Sequence, residues 1–156
     1  MLGNRMSAVA HAFWPRFYRL LRALDFVITP VWMHVGIGNT VEVVVPGRRT
    51  GLPRRVLLGL LRVGPDARYL GHPDRACEWT RNVDAAGILE LRHHDGPPRR
   101  FRAVRLPPGP ERDAAIAATF RQHPFPGSAL YWLTRRHVSA VGTFYRLEPV
   151  SGGDAA

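Results

Sequence analysis

Residues Thr40–Val63 read TVEVVVPGRRTGLPRRVLLGLLRV, two apolar runs joined by a short basic segment. Thr40–Pro46 is rich in β-branched residues, which favours a strand, and Arg54–Val63 is a second apolar run. The intervening Gly47–Pro53 combines Gly, Pro and Arg, a composition typical of a turn. The two runs are therefore expected to form an antiparallel hairpin.

Four more strands are expected downstream, each bounded by turn residues. They are Ala67–Gly71, Gly87–His93, Arg99–Leu106 and Val138–Leu147. Short helices are expected between them at Trp79–Ala85, Glu111–Gln122 and Ser128–Arg136, with Ser128 as an N-cap. Six strands in short hairpins indicate a mainly β, α+β fold, a small closed or split antiparallel barrel.

Upstream of the hairpin, His11–Ile28 has the periodicity of an amphipathic helix that ends before Pro30. Its apolar face is expected to pack on the domain core. The alternative is a contact with a membrane surface, helped by Trp14, Trp32 and a stripe of arginines. The expected organisation is an N-terminal helical extension over residues 1–39, a barrel domain over 40–150 and a disordered tail over 151–156.

The composition limits the classes of partner. The 156 residues suit one domain, and the formal net charge of +10 favours a phosphate, a polycarboxylate, nucleic acid or an anionic lipid surface. The arginines are spread over every segment instead of forming a dense stripe with aromatic platforms, which argues against nucleic acid.

The cysteine and histidine content argues against metal sites. Cys77 is the single cysteine, so an internal disulfide and a Cys-rich zinc site are excluded, and a reducing, cytoplasmic compartment is expected. Cys77 lies beside Glu78, which is not a favourable setting for a thiolate, so it is expected to be an inert thiol. His93 and His94 lack a third ligand, and no metal site is expected.

The segment Gly47–Arg55 is the candidate anion site. It places four guanidinium groups and one hydroxyl around a tight turn, and guanidinium forks match the oxygens of phosphate and carboxylate. Its two glycines allow backbone N–H groups to approach an anion. The alternative is a solvated hairpin tip whose charges aid solubility.

The segment Val44–Leu58 (VVPGRRTGLPRRVLL) resembles the signature of the deazaflavin-dependent nitroreductases and quinone reductases. In that family an apolar strand leads into Gly-Arg-Lys/Arg-Ser/Thr-Gly, then an Arg and a second strand. Trp79 and Asn82 stand where the family has a Trp, two residues and an Asn, and Phe144–Pro149 (FYRLEP) is similar to the family's closing strand. The similarity covers Val41–Pro149, most of the chain.

The resemblance implies a split β-barrel that binds coenzyme F-420, an 8-hydroxy-5-deazaflavin with a phosphate and an oligoglutamate tail. Trp79 and Asn82 would lie near the cofactor, with Trp79 as a packing anchor. The residues that would hold the phosphate or the tail, by position in the family motif, are Arg48, Arg49, Thr50 and Arg54, with Gly51 in the same turn.

Two further groups of candidates come from the same resemblance. The family has a loop with two glycines before the Trp, whereas Leu70–Arg75 (LGHPDR) is shorter, so His72 or Arg75 would supply a replacement positive group. A C-terminal aromatic cluster lines the substrate pocket in the family. Tyr131 and Trp132 are the candidates here, with Tyr131 as the catalytic proton donor; core packing is the alternative for both.

The implied function is transfer of a hydride from the reduced deazaflavin to an electron-poor acceptor such as a quinone, an enone or a nitro compound. The alternative keeps the barrel but binds FMN, haem or a lipid-like ligand without catalysis. The protein is expected to be a monomer or a homodimer. In the membrane-contact alternative, its N-terminal helix would place it at the inner face of the cell membrane, where quinones dissolve.

Overall fold

The computed structural model describes residues 12–17, 19–20, 27, 29–31, 35–74, 77–125 and 127–150. The strands are β1 (Thr40–Pro46), β2 (Pro53–Val63), β3 (Ala67–His72), β4 (Ile88–Arg92), β5 (Arg99–Arg105) and β6 (Thr143–Pro149). The helices that follow β3 are α1 (Glu78–Ala86), α2 (Pro110–Gln122), α3 (Gly127–Leu133) and α4 (Arg135–Val141). All strand pairs are antiparallel, and the order β1-β2-β3-β6-β5-β4 closes into a barrel because β4 also pairs with β1. The predicted six-stranded α+β barrel is confirmed.

Alternating side chains fill the interior of the barrel. Val41, Val43 and Val45 of β1 are at most 1% exposed, and the residues between them face outward. The interior core consists of Val41, Val43, Val45, Leu58, Leu60, Leu70, Val83, Leu89, Leu91, Phe101, Tyr145 and Leu147. Closure pairs each of the six strands on both sides, so the fold has no open sheet edge to protect.

A second core lies outside the barrel, where α2 packs against β2 and β3 and is joined by α3 and α4. Its buried members are Trp14, Leu61, Tyr69, Leu106, Ala115, Ile116, Ala118, Tyr131, Val138 and Phe144. The buried Arg112 of α2 donates to the carbonyl oxygens of Ser139 and Gly142, at 2.9 and 2.8 Å, and so fixes α2 to the end of α4. Helices α2–α4 thus cover one side of the barrel.

Helix α1 lies against one end of the barrel. Trp79 packs against the interior core, and the buried Tyr145 hydroxyl of β6 donates to Asp84 Oδ1 at 2.8 Å. The helix ends at Gly87, whose φ of 68° is in the left-handed region that favours glycine. This position fixes α1 between the β1–β2 hairpin and the start of β4.

The C-terminal boundaries differ from those predicted. The predicted helix Ser128–Arg136 is two helices, and Ser128 lies within α3 instead of capping it. The predicted strand Val138–Leu147 begins only at Thr143, because Val138 belongs to α4 and its carbonyl accepts the N–H of Gly142 at 2.9 Å. The buried Val138 faces the second core, so packing outweighs its β propensity.

The N-terminal prediction is partly wrong. The described residues 12–17, 19–20 and 27 are helical, but so is Pro30, whose fixed φ suits a helix, so this proline does not end the helical region. Trp14 is 1% exposed in the second core and is not available to a membrane, whereas Leu20 and Val27 of the predicted packing face are exposed. Among the described residues, no helix is long and apolar enough to cross a membrane. Trp32, Arg75 and the predicted tail lie outside the described residues.

Candidate functional site

The connection between β1 and β2, Gly47–Leu52, is a compact turn, here called the basic turn. Gly47 donates its N–H to the carbonyl of Leu52 at 2.9 Å and accepts the N–H groups of Thr50 and Gly51, at 3.2 and 2.7 Å. Gly51 has a φ of 68°, which glycine adopts without steric cost. The chain therefore reverses tightly within six residues.

Arg48 and Asn82, both predicted to be cofactor residues, are brought together. The Asn82 amide oxygen accepts from the backbone N–H and from Nη1 of Arg48, each at 3.2 Å. The Arg48 guanidinium also donates to both oxygens of Glu78, at 2.8 and 3.3 Å. Hydrogen bonding to Arg48 is the main reason that the pKa of Glu78 lies below its usual value. Arg48 thus fastens the basic turn to α1, and its charge is already balanced by a carboxylate.

Arg49 and Arg54 differ from Arg48 and Arg55, which are paired with Glu78 and Glu42. The former two are exposed, and no ion pair joins either of them to another described residue. Arg54 curves back toward Gly47, since a Cβ on Gly47 would lie 3.2 Å from Arg54 Nε and 3.1 Å from Thr50 Oγ1. The Arg54 guanidinium and the Thr50 hydroxyl therefore lie beside a backbone with no side chain, an arrangement suited to an anion.

A groove opens beside the basic turn and encloses about 380 Å³. The residues that line this hairpin groove are Val44, Pro46, Gly51, Pro53, Ala86, Ile88, Leu89, Glu90 and Arg100. The walls are mainly apolar, and one cross-strand pair, Glu90 on β4 and Arg100 on β5, supplies charge. The volume lies within the range of about 300–1,000 Å³ that is usual for small-molecule sites.

His72 and Trp79 lie beside each other, and Trp79 packs against the interior core of the barrel. The two rings lie 6.2 Å apart, and Trp79 also packs 5.9 Å from the ring of Tyr145. His72 is buried, with Nδ1 next to the backbone of Asp74. Trp79 is thus placed as a packing anchor, and His72 contacts its ring.

Tyr131 and Trp132 lie on the helix-covered side of the barrel, across from the hairpin groove. Tyr131 is 7% exposed, and its ring lies 5.1 Å from that of Trp14 and 4.5 Å from that of His123. Trp132 is exposed beneath the guanidinium of Arg135, at 4.3 Å from the ring centroid. The structure therefore does not bring these aromatic candidates next to the groove, and the catalytic role of Tyr131 stays a prediction.

The sequence did not single out Val44, Ile88 or Arg100. Val44 lies between the inward-facing Val43 and Val45, so alternation directs an apolar side chain to the outer face of β1. The same reasoning applies to Ile88 beside the buried Leu89. An apolar residue on the outer face of a barrel strand was the signal that could have located the groove.

Several solved structures share this architecture. The chain is similar to an F-420-H2-dependent reductase, FDR-A, with a TM-score of 0.54 and 15% identity over 70% of this chain and 94% of that one. The fold is a split β-barrel. A structure described as a domain-swapped dimer is similar with a TM-score of 0.55 and 15% identity, over 84% of this chain and 98% of the other. The heme storage protein HutZ from Vibrio cholerae is similar with a TM-score of 0.52 and 12% identity, over 83% and 92%.

No protein-family model matches the sequence, and no curated protein is significantly similar to it. At identities of 12–15%, the neighbours establish the split barrel as a fold and not the ligand that this chain binds. The chemistry must therefore be argued from the groove and the basic turn.

Proposed function

We propose that this split barrel is an oxidoreductase that binds coenzyme F-420 in the hairpin groove and reduces an electron-poor acceptor. The observation that carries the proposal is that Arg49 and Arg54, which are exposed and form no ion pair with another described residue, belong to the same β1–β2 hairpin whose Gly51 and Pro53 line an apolar groove of about 380 Å³. A ligand with an anionic arm and a flat apolar ring system matches both parts. The motif resemblance over Val44–Leu58 supports the same choice of ligand.

The basic turn would hold the anionic arm. Arg49 and Arg54 can each donate two hydrogen bonds to a phosphate or carboxylate group. The Thr50 hydroxyl can donate one more. Gly51 lines the groove without a side chain, which permits close approach of the ligand. Arg48, held by Glu78 and Asn82, keeps the turn in position so that less ordering is needed on binding.

The apolar walls would hold the ring. Val44 and Ile88 present aliphatic surfaces on adjacent strands, and Arg100 supplies a positive group at the β5 side. When bound, the reduced deazaflavin supplies a hydride to an acceptor such as a quinone, an enone or a nitro compound. The protein residues contribute by orienting the ring and by excluding water from one of its faces. We propose that the accompanying proton comes from solvent, because Tyr131 lies on the other side of the barrel.

The composition of the groove disfavours haem, one of the alternatives. Haem iron needs an axial ligand such as His, Cys, Met or Tyr. None of these residue types occurs among the described residues that line the hairpin groove. FMN also carries a phosphate and a flat ring, so it is the competing ligand that the experiments must distinguish.

We expect the protein to accelerate oxidation of reduced coenzyme F-420 by menadione or a nitroaromatic compound. The assay is anaerobic and follows the absorbance of the oxidised coenzyme at neutral pH. A protein-dependent rate at least about tenfold above the uncatalysed rate is expected, since orientation and desolvation each contribute more than this in other enzymes. Reduced FMN is run in parallel. A rate equal to the protein-free control with both acceptors would overturn the proposed activity.

A further inference from the structure

The β4–β5 side of the hairpin groove carries one acidic and one basic side chain that the fold leaves open. Glu90 on β4 and Arg100 on β5 both line the groove and are direct cross-strand partners. Glu90 is half-buried and Arg100 is exposed. No hydrogen bond or ion pair joins either side chain to another described residue. The groove thus presents a carboxylate and a guanidinium group that are both available to a ligand.

The other carboxylate on this outer face of the barrel, Glu42 of β1, is neutralised within the fold. Its oxygens lie 3.4 Å from Arg55 Nη1 and 3.4 Å from Arg92 Nε, and 7% of its side chain is exposed. Glu90 belongs to the next outward-facing row of cross-strand pairs, where its neighbour on β1 is Val44 instead of an arginine. The fold therefore closes one carboxylate of this face with two arginines and leaves the other facing the groove.

The chemistry of Glu90 and Arg100 defines the edge that a bound ring must present. A carboxylate only accepts hydrogen bonds, and a guanidinium group only donates them. Directly opposed residues of an antiparallel strand pair have Cβ atoms about 4.5–5.5 Å apart, so an acceptor and a donor stand side by side here. A ring edge that satisfies both carries an N–H group next to a C=O group. The imide of a pyrimidinedione ring, which flavins and deazaflavins share, has this pattern.

The distribution of charge along the groove also sets the direction of the ligand. Arg49 and Arg54 give the hairpin end a positive charge, whereas the charges of Glu90 and Arg100 cancel at the β4–β5 end. An anionic arm is therefore favoured at the hairpin end and a neutral imide at the other. A ring with acceptor oxygens and no N–H group, such as menadione, would leave the half-buried Glu90 carboxylate unpaired, which is unfavourable for a charged group.

We propose that Glu90 accepts a hydrogen bond from the imide N–H of the deazaflavin ring and that Arg100 donates to the adjacent carbonyl. This inference rests on the proposed function, because it names how the ring is recognised in the same groove. The two residues bind and orient the ring, and they take no part in the transfer of the hydride or of the proton. They select a ring that carries an imide over acceptor molecules that lack one.

The test compares a ring with its form methylated on the imide nitrogen, because methylation removes the N–H group and leaves the anionic arm unchanged. The probes are 8-hydroxy-5-deazariboflavin 5′-phosphate and FMN, each with its methylated form. Binding to the full-length protein is measured by ligand fluorescence, without turnover. We expect methylation to weaken binding of the deazaflavin at least about tenfold, since a hydrogen bond to a charged group is lost. The same penalty is expected for FMN if it binds, because the two rings share the imide.

Variants separate hydrogen bonding from steric exclusion of the methyl group. Glu90→Gln keeps the size of the side chain but removes its charge, and hydrogen bonds to neutral groups are about half as strong, so we expect the methylation penalty to fall at least about threefold. Arg100→Ala is expected to weaken binding of both forms at least about fivefold. The matched control is Arg102→Ala, an exposed arginine of β5 outside the groove lining, which is expected to retain the wild-type affinity within about twofold.

The outcomes distinguish this inference from the proposed function. Binding of the deazaflavin without a methylation penalty, an unchanged penalty in Glu90→Gln, or equal effects of Arg100→Ala and Arg102→Ala would each overturn the inference and leave the proposed oxidoreductase standing. Failure of both unmethylated rings to bind would overturn the proposed function as well. If Glu90→Gln or Arg100→Ala does not fold, the methylation penalty of the wild type decides alone.

Discussion

Replacing Phe144 with alanine is expected to lower the free energy of unfolding by about 3–5 kcal/mol. Phe144 lies on β6, is 1% exposed and belongs to the second core. Gly71 on β3 is the cross-strand partner of Phe144. A Cβ on Gly71 would lie only 2.5 Å from the Phe144 ring, so the ring occupies the space that the glycine leaves free. The Arg112 guanidinium stands 5.9 Å from the ring centroid. The ring thus joins the barrel wall to the helices, and its loss leaves a cavity between them.

The measurement is urea unfolding at equilibrium, with Phe125→Ala as the matched control. Phe125 is 83% exposed in the loop before α3, so the same change there is expected to alter the free energy of unfolding by less than about 0.5 kcal/mol. A loss below about 1 kcal/mol for Phe144→Ala, or equal losses for the two variants, would contradict the assignment of Phe144 to a core that joins two layers.

The double variant Arg49→Ala, Arg54→Ala is expected to weaken binding of oxidised coenzyme F-420 by at least about 30-fold, because hydrogen bonds between charged groups are the strong ones. These two arginines are the exposed guanidinium groups of the basic turn region that no described carboxylate neutralises. The effect is expected to shrink as salt is raised, because the groups are solvent-exposed and screened. Binding is followed by the quenching of coenzyme fluorescence.

A second double variant controls for net charge. Arg121→Ala with Arg136→Ala removes two exposed arginines from α2 and α4 and lowers the formal net charge from +10 to +8, as does the first double variant. We expect it to retain the affinity of the wild type within about threefold, since long-range attraction is weak at physiological salt. Equal losses in both double variants would show that the total charge, and not the basic turn, attracts the coenzyme.

The barrel could be predicted from the sequence because its strands carry local signals. β1 has the predicted bounds Thr40–Pro46, and the turn residues Gly47 and Gly51 mark the hairpin. The boundary between α4 and β6 could not be predicted in this way. Val138 has a strand-forming side chain, but it packs against residues distant in sequence within the second core, and only the folded arrangement supplies that contact.

Only part of the candidate site could be predicted from the sequence, because the rest depends on contacts between residues distant in sequence. The motif resemblance identified Arg48 and Asn82, which do meet, but it could not show that Glu78 balances the charge of Arg48. The hairpin groove depends on four strands and α1, and no local pattern brings Ile88 or Arg100 beside Gly51. Burial of Trp14 likewise depends on the second core, which forms only when α2 and α3 cover the barrel.

The structure of the protein crystallised with oxidised coenzyme F-420 tests the central claim most directly. We predict that the ring lies against Val44 and Ile88 in the hairpin groove and that the anionic arm accepts hydrogen bonds, at about 2.7–3.2 Å, from Arg49 and Arg54. A coenzyme bound elsewhere on the barrel, with both arginines directed into solvent, would contradict the account.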